Sequence, residues 1–91
     1  MDRQITAFYR WSARSGPAAV EVAAAVRLTT RELVVLELLA GSLTATAIAH
    51  RLGIAERTVQ KHLQRSYAKL GVADRLAVVQ RAQAIGVLPV P

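Results

Sequence analysis

Basic side chains recur at intervals of four residues between positions 56 and 70, namely Arg57, Lys61, Arg65 and Lys69. Side chains spaced in this way lie on one face of an α-helix, so these four predict a single basic stripe. Glu56 is the only acidic residue in the same stretch. A stripe of cations with so little opposing charge has the chemistry to bind the phosphates of a nucleic acid.

Two glutamines, Gln60 and Gln64, flank the basic stripe. An α-helix fits the major groove of B-DNA, where Arg and Lys bind guanine and Gln binds adenine. We expect base contacts from the start and middle of this helix, and backbone contacts from its C-terminal end and from nearby threonines. The predicted base-reading residues are Arg57, Gln60, Lys61 and Gln64, and the predicted backbone-contacting residues are Thr44, Thr58, Arg65 and Lys69.

The opposite side of the same helix is suited to a protein core. Its apolar face lies within about 60° of arc on a helical wheel and consists of Val59, Leu63, Ser66 and Leu70. A charged stripe is usually a solvated face. Here the stripe is almost free of acids, contains two amides and follows a tight turn, and these features favour DNA contact.

The segments before this helix predict two further helices. Thr29 and Glu32 have the spacing of a capping box, which predicts a helix over residues 30 to about 40. Thr44 can cap a short second helix that ends at Gly53, three residues before the basic helix. Two helices joined by so tight a turn are typical of a helix-turn-helix. Strand signals are poor throughout, so we expect an all-α fold.

The helix over residues 30 to 40 is apolar on nearly every side. Val35, Leu36 and Leu39 face the expected core, whereas Leu33 and its neighbours Val34 and Leu38 point elsewhere. A second surface must therefore pack on this helix, either the N-terminal segment or another subunit.

Residues 1–27 form an N-terminal helical extension of one or two helices, with Pro17 placed to open a helix. Its aromatic residues include Tyr9 and Trp11, and we interpret Trp11, like Tyr67, as a packing residue. Two hypotheses describe the extension. It is an arm for dimerisation or for an effector, or it has no function of its own and is either the remnant of an upstream domain or a set of helices that extend the core.

Composition bounds the class of protein. The 91 residues suffice for one small domain, and 53% of them are hydrophobic, which excludes a disordered chain. Twelve basic residues against six acidic ones give a net charge of +6, which favours a polyanionic partner. Disulfides and thiolate sites are excluded because the sequence contains no cysteine.

Other function classes find little support. The two histidines, His50 and His62, have neither cysteine nor a carboxylate pair nearby, so we expect no metal. No catalytic constellation or phosphate cradle is present, so we expect neither an enzyme nor a cofactor. A membrane-surface helix is disfavoured because the core already requires the apolar face of the basic helix.

A set of short motifs covers residues 28–88: Leu28-Thr29 with Arg31-Glu32, Val35-Leu36, Leu38-Leu39-Ala40, Ile48-Ala49, Leu52-Gly53-Ile54, Thr58-Val59, His62 and Lys69-Leu70-Gly71-Val72. With them, this stretch closely resembles the LuxR-type (FixJ and GerE) DNA-binding domain of bacterial transcription regulators. The resemblance implies four helices after the extension, the third of which enters the major groove. His62 matches a family position, and we favour a structural role for it.

The resemblance also implies partners. Its fourth helix, about residues 75–85, would pair two subunits on a dyad-symmetric site, and we predict an interface of Val78, Val79, Ala82 and Ile85. The expected partners are double-stranded DNA, a second copy of the chain and RNA polymerase, in the cytoplasm at the nucleoid and away from membranes. The alternative is a protein-protein interaction module, derived from a helix-turn-helix, that no longer binds DNA.

The chain departs from the family pattern at several positions. Ala47 replaces a common Glu, and Ala55 replaces the usual Ser before the third helix, which removes an N-cap. Gln60 replaces a basic residue after Thr58-Val59, so the target site does not follow by analogy. Ser42 stands where a Gly is usual, and Gly41 precedes it.

Overall fold

The structure, a computed structural model, describes residues 3–90, with side chains at position 6 and from position 9 onward. The first two positions of the predicted extension lie outside the described residues. Within the described part of the chain all regular structure is helical, which confirms the predicted all-α class. The five helices are α1 (Arg3–Ala25), α2 (Thr30–Ala40), α3 (Ala45–Leu52), α4 (Glu56–Leu70) and α5 (Arg75–Ala84).

Local capping sets the ends of the helices. The hydroxyl of Thr29 accepts the backbone N–H of Glu32 at 3.1 Å, and the Glu32 carboxylate accepts the N–H of Thr29 at 2.9 Å, as the capping box predicts. Thr44 accepts the N–H of Ala47 at 3.1 Å and so begins α3. Gly53 ends α3 in the left-handed region at φ 67°, where a residue without Cβ carries no steric cost.

The extension packs on α2 and so provides the second surface that the sequence predicted for that helix. Its helix α1 is kinked at Gly16, which has φ 84° and ψ 173°, and Pro17 starts the second part. Trp11, in the first part, is 1% exposed, and its indole N–H donates to the carbonyl of Val87 at 2.9 Å. Arg14 forms an ion pair with Glu37 of α2. The extension is therefore part of the core, not an arm free of it.

The core lies between α2 and the helices packed around it. The predicted apolar face of α4 is buried at all four positions, Val59, Leu63, Ser66 and Leu70. Leu33 and Val34 of α2 are buried as well, on the sides that the sequence assigned to a second surface.

The burial of α5 corrects the predicted dimer interface. Val78 and Ala82 are 0% exposed because they point into the core of their own chain, and so they offer no surface to a second copy. Val79 and Ile85 are half-buried, and Leu76, which was not predicted, is 66% exposed. The exposed face of α5 therefore lies about a third of a turn from the face that the sequence indicated.

The left-handed residue in the turn after α2 is Ser42, at the position where the family pattern usually has glycine. Gly41 caps α2 with an ordinary φ of −78°, whereas Ser42 has φ 70°. Leu43 follows, and its carbonyl accepts a hydrogen bond of 2.8 Å from Arg75 at the start of α5. A non-glycine residue in this conformation costs on the order of 1 kcal/mol.

Replacing Trp11 tests whether the extension unfolds together with the rest of the chain. Trp11→Phe keeps most of the apolar ring but removes the N–H that binds Val87. We expect the free energy of unfolding to fall by about 1 to 3 kcal/mol, because a buried carbonyl loses its donor. Urea denaturation followed by circular dichroism measures this change. An unchanged midpoint would show that α1 does not belong to the cooperative unit.

Candidate nucleic-acid interface

Helix α4 presents the predicted base-reading residues on one outward surface. Arg57, Gln60, Lys61 and Gln64 are all exposed, and Arg65 continues the same surface toward the C-terminal end of the helix. The buried face described above anchors the helix from the opposite side. The structure therefore brings together five of the predicted residues on a face that is free of the protein core.

The two predicted threonines differ in their surroundings. Thr44 is exposed, and because its oxygen accepts the N–H of Ala47, its hydroxyl proton stays available to another acceptor. Thr58 is half-buried in the first turn of α4. Contacts of either residue with a DNA backbone stay predictions.

Lys69 is placed differently from the rest of the basic stripe. Its ammonium donates to the Glu32 carboxylate at 2.6 Å and to the carbonyl of Arg27 at 2.7 Å. The side chain of Glu32 is 1% exposed and that of Lys69 is 28% exposed. Two of the three donors of Lys69 therefore serve the fold. The expected phosphate contact of Lys69 gives way to this internal one, because the side chain is drawn toward α2.

His62 lies beside this ion pair, on the border of the core. Burial lowers the pKa of His62 below its ordinary value, and the positive charges of Arg31 and, more weakly, Arg65 lower it too. The nearby carboxylate of Glu32 raises it and offsets part of that shift. His62 is therefore neutral at physiological pH. Its Nδ1 atom is buried without a hydrogen-bond partner, and the structural role of His62 stays a prediction.

A hydrogen bond that the sequence did not reveal joins the two helices of the helix-turn-helix. The hydroxyl of Thr46 on α3 donates to the carboxylate of Glu56 on α4 at 3.0 Å. Ala55, as expected, provides no side-chain cap for α4. The acid at the start of the basic helix is thus tied to α3. No local motif signals this pairing, because it depends on the angle between the two helices.

Residues 3–90 offer neither a cluster of metal ligands nor a membrane-spanning helix. Groups of three or more His, Asp or Glu side chains that could hold a metal ion are not found there. None of the helices in that range has the length and apolar character needed to cross a membrane.

Comparison with known families gives a match over more than half of the chain. The model of the family described as "Bacterial regulatory proteins, luxR family" matches residues 26–82. The matched range begins just after α1, ends within α5 and includes all of α2, α3 and α4.

Individual relatives are regulators from several bacteria. The chain is 36% identical over 74 residues to the bialaphos biosynthetic pathway regulatory protein of Streptomyces hygroscopicus, which covers 81% of this chain and 29% of that protein. It is 41% identical over 64 residues to the transcriptional regulatory protein YdfI of Bacillus subtilis, covering 70% and 30%. It is 47% identical over 55 residues to a probable transcriptional regulatory protein NarL of Mycobacterium tuberculosis, covering 60% and 26%.

These alignments cover less than a third of the length of each relative, so they concern one domain of longer proteins. No solved structure gives a significant match.

Replacing Lys69 separates its internal role from that of the exposed stripe. Lys69→Met leaves the buried carboxylate of Glu32 without its cation, and we expect the free energy of unfolding to fall by about 3 kcal/mol. Arg65→Met, at an exposed position one turn away, should change it by less than about 0.5 kcal/mol. Urea denaturation at neutral pH measures both. Adding Glu32→Gln to Lys69→Met should recover part of the loss. Equal effects of the two single variants would contradict the internal role.

Proposed function

The chain belongs to the luxR family of bacterial regulatory proteins, and we propose that it binds double-stranded DNA with α4 in the major groove and regulates transcription. The observation that carries this proposal is the outward face of α4. That face is exposed, almost free of acids and rich in the Arg, Lys and Gln side chains that pair with base edges. Binding to bacterial DNA would place the protein at the nucleoid. A contact with RNA polymerase stays a prediction.

We assign recognition of the DNA sequence to side chains in the first three turns of α4. Arg57, Gln60, Lys61 and Gln64 would contact bases, because the N-terminal part of a recognition helix lies deepest in the groove. Thr44, Thr58 and Arg65 would contact the backbone and set the register of the helix. Glu56 brings one negative charge to this surface and is held by Thr46.

The alternative, a protein-protein interaction module, loses part of its support, although Leu38 is only half-buried and Tyr9 is 63% exposed. Such a module would bind its partner through the apolar sides of α2 and the aromatic residues of the extension. Leu33 is 2% exposed and Val34 is 5% exposed, and α1 of the same chain packs against α2. The burial of these two side chains favours the basic face of α4 as a binding surface over the apolar sides of α2.

A second copy of the chain would dock on the exposed face of α5. Leu76 and half-buried Val79 lie on this face with Gln80 and half-buried Gln83, at intervals of three and four residues. Exposed apolar side chains on a helix of so small a domain suit a two-fold interface. Two copies joined there would bind two half-sites about one helical turn apart.

Affinity ratios test the assignment of base-reading residues. Selection from a random duplex library provides a preferred site, and mobility shift gives affinities for that site and for random DNA at one fixed salt concentration. Lys61→Ala and Gln64→Ala should each lower the discrimination by about 1 to 3 kcal/mol. Arg65→Ala should weaken both duplexes alike. The absence of any shift by the wild type at about 50 mM salt, where phosphate contacts are strongest, would refute DNA binding.

Charge placed on α5 tests the dimer. We expect Leu76→Glu to prevent pairing, because it puts a carboxylate at the centre of the proposed interface. Analytical ultracentrifugation with duplex present, together with the length of a nuclease footprint, measures the outcome. Val90→Glu is the matched control, since it changes another exposed apolar residue (73% exposed) in the same way away from α5. If Leu76→Glu matched this control in sedimentation and footprint, α5 would not be the interface.

A further inference from the structure

Positive charge gathers at the C-terminal end of α4, beyond the residues assigned to base reading. Arg65 and Lys69 come from α4, and Lys69 reaches the carbonyl of Arg27, in the segment between α1 and α2. Arg31, in the first turn of α2, lies close enough to His62 to lower its pKa, and so does Arg65. Three different parts of the chain therefore bring arginine or lysine to one place.

The acid within this cluster offsets little of its charge. Glu32 is buried and its carboxylate is bound by Lys69 and by the capping box. It can offset one of the four positive charges of Arg27, Arg31, Arg65 and Lys69. The cluster keeps a net positive charge.

Neither Arg27 nor half-buried Arg31 has a role among the assignments so far, and Arg27 is the more accessible of the two. It is exposed, and its backbone carbonyl, not its guanidinium, is what Lys69 binds. Arg27 has φ 62°, a left-handed conformation that a side chain other than glycine adopts at a cost. Glycine would fit this backbone better, so local stability does not account for an arginine here.

We propose that Arg27 and Arg65 together bind a phosphate of the duplex, beside the groove that α4 occupies. The positive charge of nearby Arg31 favours this contact. This inference rests on the proposed function and extends it, since Arg27 belongs to the segment before α2. Arginine suits this role because its planar guanidinium can donate two hydrogen bonds to one phosphate. The extension of the chain thus contributes to DNA affinity as well as to the core. Lys69 holds Arg27 beside α4 without contacting the phosphate.

The salt dependence of affinity tests this phosphate contact. For the wild type, log affinity for random duplex should fall linearly with log salt, with a slope of about −0.9 for each phosphate neutralised. Arg27→Gln should make the slope shallower by about 0.9 for each bound copy of the chain. The discrimination between the preferred site and random DNA should stay unchanged, because a phosphate carries no sequence information.

Two further variants separate the contact from general charge and from folding. Arg10→Gln is the matched control, because it removes an exposed arginine from the first part of α1, and it should leave the slope unchanged. Arg27→Gly removes the guanidinium and relieves the left-handed backbone. It should raise the melting temperature and make the slope shallower, as Arg27→Gln does.

The outcomes distinguish this inference from the function on which it rests. If Arg27→Gln and Arg10→Gln gave the same slope, that result would overturn the phosphate contact but not the proposed function. A wild type that binds no duplex at low salt would overturn the proposed function and the phosphate contact with it.

Discussion

The buried carboxylate of Glu32 is the constraint on which the arrangement of the helices depends. Removing a carboxylate from water costs several kcal/mol unless hydrogen bonds and a cation replace the solvent. In this fold they come from different places: the backbone of Thr29 closes the capping box, and Lys69 arrives from the end of α4. The same ammonium also donates to the backbone carbonyl of Arg27, the last residue of the extension. One ammonium therefore joins α4 to α2 and to the segment between α1 and α2.

That constraint determines how α4 can meet a ligand. Lys69 is drawn inward at one end, and Val59, Leu63 and Ser66 are buried along the length, so a rotation of the helix about its axis would break the ion pair and expose apolar side chains. This packing determines which surface of α4 faces outward, and the exposed Arg, Lys and Gln side chains all lie on that surface. A rigid helix of this kind presents its side chains at a lower entropic cost than a mobile one.

The sequence predicted what local chemistry determines and missed what depends on distant contacts. The capping box at Thr29, the start of α3 at Thr44 and the buried face of α4 follow from spacing, because neighbours in sequence form them. The inward role of Lys69 could not follow in this way, since its partner lies 37 positions away. Helical periodicity likewise showed that α5 has an apolar side, but not which side the core would take. Val78 and Ala82 belong to that core because α5 packs on α2 and α4.

Two of the departures from the family pattern, at Ala55 and Ser42, are accompanied by contacts from elsewhere in the chain. Ala55 leaves the start of α4 without a side-chain cap, yet Glu56 places a carboxylate in the first turn, where the helix dipole favours negative charge. Thr46 of α3 binds that carboxylate and so joins the two helices at the point where the cap is missing. Ser42 takes the left-handed turn that suits glycine, and Arg75 fastens the adjoining carbonyl of Leu43 to α5. In both places a contact between helices replaces a local preference, so the geometry of the helix-turn-helix depends on the whole set of helices and not on its own two.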